Sequence, residues 1–139
     1  MSVFFYTFRT NKFTQDIESI LGQEVYVIDR YAKDFDKLVD VIDLSGNESV
    51  CGIGISLKGR SRFEKKAFNK IGKNKISLSG PEEVILSTPR ESLINWSSGM
   101  TFGPCNYVAY RLAIAKIKKS NYFIHIRPDS FEDLKRVVW

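Results

Sequence analysis

The chain has 139 residues, 43% hydrophobic and 27% charged, with two cysteines and a single histidine. That is one domain's length, able to bury roughly two-thirds of its unfolded surface. The composition excludes a disordered chain, the cysteine count excludes a disulfide framework, and no apolar run approaches the ~18 residues of a membrane-spanning helix. The formal charge of +5 is concentrated between Lys58 and Lys75, where Lys58, Arg60, Arg62, Lys65, Lys66, Lys70, Lys73 and Lys75 surround one acid, Glu64. Neighbouring cations lower a carboxyl pKa, so Glu64 is expected to be ionised.

In chain order, Ser2–Phe8 is aromatic and β-branched and predicts a strand. It carries no basic leader or cleavage-site pattern, which makes a cytoplasmic protein the expectation. Phe13–Leu21 places Phe13, Ile17, Ile20 and Leu21 at helical spacing, and Gly22 closes the helix. Glu24–Ile28 is a second strand, and Asp34–Leu44 a second helix with Phe35, Leu38, Val39 and Ile42 on one face. Glu48–Ile55 is apolar nearly throughout, as suits a central parallel strand covered on both sides. Cys51 within it reads as core filling in a reducing compartment.

Short extended pieces are expected at 64–71 and 75–78, and 83–88 is strand or turn before Pro89. The stretch 97–103 is loop-like. Asn106–Lys119 predicts a helix with Lys116, Lys118 and Lys119 at its tail, where cations suit the dipole. Tyr122–Ile126 is the last strand. Asp129–Val138 is a terminal helix, capped by Asp129 or Ser130, with Phe131, Leu134 and Val138 toward the sheet. No linker divides the chain, so residues 1–139 are expected to form one domain. The alternation predicts a three-layer α/β/α sandwich with a largely parallel central sheet, of phosphorylase/hydrolase-like type. Sites in such sheets lie at the carboxyl ends of the strands, which gathers 8–11, 56–62 and the His125 region at one rim.

Histidine alone titrates near neutral pH without being perturbed, so His125 is the one imidazole available for acid–base work. Cys105, in Gly103-Pro-Cys-Asn-Tyr-Val-Ala-Tyr110, opens a helix, where the dipole favours a thiolate. Taken singly, a strand histidine, a helix-start cysteine and a surface glutamate each also have a purely structural reading.

Four segments taken together resemble pyroglutamyl peptidase I, the cysteine peptidases that remove an N-terminal pyroglutamate. Gly59-Arg-Ser-Arg-Phe-Glu-Lys-Lys-Ala-Phe-Asn69 is similar to the family's Gly-Arg followed by Glu-x-x-Ala-x-Asn. Gly80-Pro-Glu-Glu-Val-Ile-Leu-Ser-Thr-Pro89 is similar to its Gly-Pro…Ser-Thr-Leu-Pro segment, without the Leu. Cys105-Asn-Tyr-Val-Ala-Tyr110 matches Cys-Asn-x-x-x-Tyr, and Phe123-Ile-His-Ile126 is close to Phe-Ile-His-Val.

The resemblance implies Cys105 as nucleophile, His125 as base and then acid, and Glu64 as the carboxylate that orients the imidazole. The backbone N–H of Cys105 would contribute to an oxyanion hole. Phe8, Asn11 and Asn69 would be substrate-binding, and Lys75 would stand where the family has an arginine. The resemblance implies no metal and no cofactor, and a small peptide or amide as substrate.

The family's members are longer, and parts of the pattern are absent. Their Gly-Phe-x-Pro-Phe-Gly loop is replaced by Tyr6-Thr-Phe-Arg-Thr-Asn11, which keeps Phe8 and the Asn but not the second Phe; Phe13 can replace it only in space. Pro89–Pro104 is short, and Pro104 removes a backbone donor just before the cysteine. Two further readings stay open. A non-catalytic relative would use the basic segment to bind nucleic acid or another anionic partner, and a self-associating protein would bury Trp96, Phe102 and Trp139 at an interface between copies.

Overall fold

A computed structural model describes residues 2–97, 99–100, 103–115 and 117–139. Six strands form the main sheet: β1 (Val3–Phe8), β2 (Tyr26–Ile28), β3 (Ser49–Ile55), β4 (Arg62–Glu64), β7 (Asn95–Ser97) and β8 (Ser120–Ile126). Their order is β2-β1-β3-β8-β4-β7. The first four in that order are mutually parallel, β4 runs antiparallel to β8, and β7 lies parallel to β4. A separate antiparallel pair joins β5 (Lys66–Phe68) to β6 (Glu83–Ile85).

Handedness fixes which helix covers which face. From β1 the chain steps to β2 through α1 (Thr14–Leu21), then crosses back to β3 through α2 (Phe35–Ser45). Parallel crossovers are right-handed, so steps in opposite directions put their helices on opposite faces. Continuing outward from β3 to β8 puts α3 (Gly103–Ile114) on the face of α2. Two cores result. Phe4, Tyr6, Val50 and Phe123 pack against Phe35, Leu38 and Ile42 of α2 and Val108, Ala109 and Leu112 of α3. Phe5, Cys51, Ile53 and Ile124 pack against Ile17 of α1 and the C-terminal Phe131 and Leu134. The three-layer, largely parallel α/β sandwich expected from the sequence is the observed architecture. Among the described residues, no helix is long and apolar enough to cross a membrane.

Several local expectations needed correction. The terminal segment Pro128–Arg136 is a 3₁₀ helix rather than an α-helix. At three residues per turn, positions 131, 134 and 137 share one face, so Val137 is buried where Val138 was expected, and Val138 is exposed. No side chain caps its start. Helix α3 begins at Gly103 and ends at Ile114, so Lys118 and Lys119 lie beyond it, with Lys119 donating to the Asn47 carbonyl; Lys116 is outside the described residues. Residues 75–78 form no strand, and the loop-like reading of 97–103 missed β7, which ends at Ser97.

The aromatics proposed for an interface divide. Trp139 packs edge-on against Phe5, Phe63 and Tyr122, closing the rim of the second core. Trp96 is exposed beneath the Lys65 ammonium, 5.4 Å from the ring centre. Phe102 lies outside the described residues.

Candidate active site

Strand β3 reads Val50-Cys-Gly-Ile-Gly-Ile55, and the period of two puts Gly52 and Gly54 on one face. The missing side chains make room. A Cβ on Gly52 would lie 2.4 Å from the Tyr6 hydroxyl and 2.5 Å from the Phe123 ring. A Cβ on Gly54 would lie 2.7 Å from His125 Cδ2, 2.9 Å from His125 Nε2 and 3.3 Å from Cys105 Sγ. Imidazole nitrogen and thiol sulfur therefore both sit within 3.3 Å of one point above Gly54.

His125 is paired with Gly54 on one side and with Arg62 on the other. Its Nδ1 meets Glu64 Oε2 at 2.5 Å. An ionised carboxylate only accepts, so Nδ1 carries the proton and Nε2 keeps a lone pair free to accept one. Glu64 is 1% exposed, and both its oxygens are used: Arg62 Nε also reaches Oε2, at 3.3 Å, and Ser97 Oγ donates to Oε1. Burial works to raise its pKa. Hydrogen bonds from His125 and Ser97 and the charges of His125 and Arg62 outweigh it, and the carboxyl is held below its ordinary value.

Cys105 sits in the first turn of α3, after Gly103 at φ +80° and Pro104. Asn106 fixes that turn. Its Oδ1 accepts from Phe68 N–H, and its Nδ2 donates to the Phe68 and Lys70 carbonyls, tying α3 to β5 by two bonds and to the segment just after it by a third. One helical turn later, the Tyr110 hydroxyl donates to the Pro81 carbonyl at 2.6 Å. The expected resting thiolate is not what this environment favours. Burial pushes the Cys105 thiol up to about 12, with Glu64 adding to the rise; its own backbone N–H and Arg62 oppose it without prevailing. Cys51 is fully buried in the opposite core, its thiol also pushed up by burial.

A cavity of about 390 Å³ opens beside Cys105 and His125, walled by β1 (Thr7, Phe8) and β3 (Ile53, Gly54, Ile55). Those two strands flank the point where the connections change direction, the usual ligand position in open α/β sheets. Phe8, expected from the resemblance to bind substrate, lines it. So does Phe13, which the sequence left as a spatial substitute; it also packs on Phe131, so it serves wall and core together. Asn11 lines the cavity too, but its amide donates to Thr7 Oγ1 and accepts from Phe13 N–H.

Two expected substrate residues are not brought here. The Asn69 amide is spent on the loop 76–80: it accepts from the N–H groups of Ile76 and Ser77 and donates to the carbonyls of Ser77 and Gly80. Lys75 is exposed, in a separate depression with Lys70 and Lys73. The site thus contains Glu64, Cys105, His125, Phe8 and Asn11, joined by Arg62, Ser97, Gly54 and Phe13. Gly54 was detectable from the alternation of β3, two residues from Gly52, whereas Arg62 lies on a strand too short to show a period. Ser97 had no such signal.

Solved structures share this open α/β sandwich, whose switch point here holds a cavity with a cysteine and a histidine beside it. The chain has the fold of the pyroglutamyl peptidases. It matches pyrrolidone carboxyl peptidase from Thermococcus litoralis with TM-score 0.69 and 21% identity, over 93% of this chain and 79% of that one. The pyrrolidone carboxyl peptidase from Thermus thermophilus matches with TM-score 0.66 and 17% identity, over 96% and 88%. Pyroglutamyl peptidase I from Bacillus amyloliquefaciens matches with TM-score 0.67 and 14% identity, over 92% and 81%. No family model and no curated protein matches the sequence.

Proposed function

We propose that the protein is a cysteine peptidase that hydrolyses the amide bond after an N-terminal pyroglutamyl or similarly small acyl group, using Cys105, His125 and Glu64. The supporting observation is the 2.5 Å Glu64–His125 contact, with His125 Nε2 and Cys105 Sγ both against Gly54.

The chemistry follows from the protonation states. With its pKa near 12, Cys105 rests as a neutral thiol at pH 7. Attack therefore needs His125 Nε2 to take the proton as the sulfur bonds to the carbonyl carbon. Glu64 holds Nδ1–H and stabilises the imidazolium that forms. The oxyanion develops beside the N–H of Cys105, at the positive end of α3. The imidazolium returns its proton to the departing nitrogen as the C–N bond breaks, leaving an acyl-thioester on Cys105. Water, deprotonated by His125, then attacks that carbonyl and releases the acid with the thiol restored. The acyl group occupies the cavity between Phe8 and Phe13, whose apolar walls include Ile53, Ile55 and Leu57.

The test is turnover of pyroglutamyl-4-nitroanilide. Wild-type protein is expected to release nitroaniline, and Cys105→Ala and His125→Ala to lose about 10³-fold or more in kcat/KM. Cys51→Ala should keep the wild-type rate. A Cys105→Ala variant as active as wild type would overturn the reading.

A further inference from the structure

Cys105 and His125 form a wall with a depression on each side. The acyl cavity lies toward β1 and β3. On the other side a depression of about 290 Å³ is lined by Arg62, Glu64, Ser97, Met100 and Gly103 together with the two reactive side chains. Arg62 and Ser97 also line a neighbouring depression of about 440 Å³, which adds Arg60, Ser61 and Asn95. Register explains the continuity: Arg62 pairs with Asn95 and Glu64 with Ser97, so alternation turns all four to the face that holds His125.

The charges of this second side do not cancel. Among the described residues that line it, the one carboxylate is Glu64, buried and with both oxygens engaged. Arg62 spends Nε on Glu64 and Nη1 on Ser56 Oγ and the Arg60 carbonyl; among the described residues its Nη2 has no partner. Arg60 is exposed, and no carboxylate of the described residues pairs with it. Nearby, Arg127 is already paired with Asp129 and donates to the Gly59 carbonyl. A cationic path therefore leads away from Cys105, opposite the apolar cavity.

We propose that this side receives the leaving half of the substrate, and that Arg62 and Arg60 select a residue bearing a carboxylate there. The inference rests on the peptidase reading for its direction. With the acyl group in the apolar cavity and its carbonyl carbon on the sulfur, the scissile bond points across the Cys105–His125 wall. A carboxylate on the leaving residue then meets guanidinium groups with donors to spare, and a lysine meets like charge. The surface is partly open to water, so the discrimination is of the modest size that exposed charge pairs give, and salt weakens it.

The experiment compares C-terminally amidated pyroglutamyl dipeptides whose second residue is Glu, Gln or Lys. In low salt, kcat/KM should be about five- to tenfold higher for Glu than for Gln, lower again for Lys, with the spread shrinking at high salt. Arg60→Glu should abolish or invert the order and Arg60→Lys should keep it. An unchanged denaturation midpoint checks that each variant folds. Equal kcat/KM for Glu and Lys, or an order untouched by Arg60→Glu, overturns the proposal. Calorimetric binding of the same dipeptides to Cys105→Ala separates the two readings. Tighter binding of the Glu dipeptide by a protein whose wild type shows no turnover keeps the anionic subsite and sinks the peptidase. Turnover without discrimination does the reverse.

Discussion

Glu64 carries more of the site than its place in a run of cations suggests. It is buried and held by His125, Ser97 and Arg62, so removing its charge leaves three donors facing an oxygen that no longer balances them. Glu64→Gln should reduce kcat by about 10³–10⁴-fold while KM changes little, because the imidazolium loses its counter-charge mainly in the transition state. The same carboxylate shapes acid stability. Its folded pKa lies below the unfolded value of about 4.3, so its contribution is complete above that pH and is lost as pH falls through the lowered folded value. Urea titrations between pH 6 and pH 2 should show that loss in the wild type and a shallower acid limb in Glu64→Gln. Gly54→Ala tests the crowding directly: a methyl 2.7 Å from the imidazole displaces it, and turnover should collapse for a stability cost of about 1–3 kcal/mol by denaturant titration. Cys105, His125 and Glu64 stood out in the sequence only through the four matched segments taken together, since each residue alone also has a structural reading. Asn69 was misread because an asparagine in a tight loop can satisfy the backbone as well as a substrate can.

At the level of elements, the position of Cys105 depends on how α3 is tied to the β5–β6 pair. Asn106 acts as a strand-like clamp on Phe68 and Lys70, and Tyr110 on Pro81. Asn106→Ala leaves three part-buried backbone groups without their partner and should cost about 1–3 kcal/mol, whereas Tyr110→Phe should cost about 1 kcal/mol, both measured from urea midpoints. The activity of Asn106→Ala should fall further than its folded fraction does, since the helix start loses its anchor. Period-two and period-3.6 patterns revealed the long elements, β1, β3, β8, α1 and α2, with errors of a residue or two at their ends. Three-residue strands such as β4, β5 and β7 have too few positions to show a period, and β7 was missed with the Ser97 it supplies. The 3₁₀ geometry of 128–136 was hidden for a related reason: Phe131 and Leu134 fit both helical periods, and only Val137 against Val138 distinguishes them.

Across the whole molecule, the right-handed crossovers put the reversal of connections between β1 and β3, and that point receives the cavity, the thiol and the imidazole together. The architecture was legible because strand–helix alternation leaves few other arrangements. The assembly of the site was not, because it depends on β4 returning antiparallel beside β8, a pairing that no local pattern encodes. The two cysteines report on different scales. Cys51, with no exposed surface, should be alkylated only through global opening, at a rate that follows the unfolding equilibrium, and Cys105 through the native cavity. The central claim is that Cys105 attacks an acyl carbon with His125 as its base. Reaction with a pyroglutamyl chloromethyl ketone, followed by peptide mass mapping, tests it most directly. The account predicts one adduct per chain, on Cys105, formed rapidly by the wild type and at least 10²-fold more slowly by His125→Ala. Equal labelling rates for the two proteins, or an adduct on Cys51 in native protein, would contradict it.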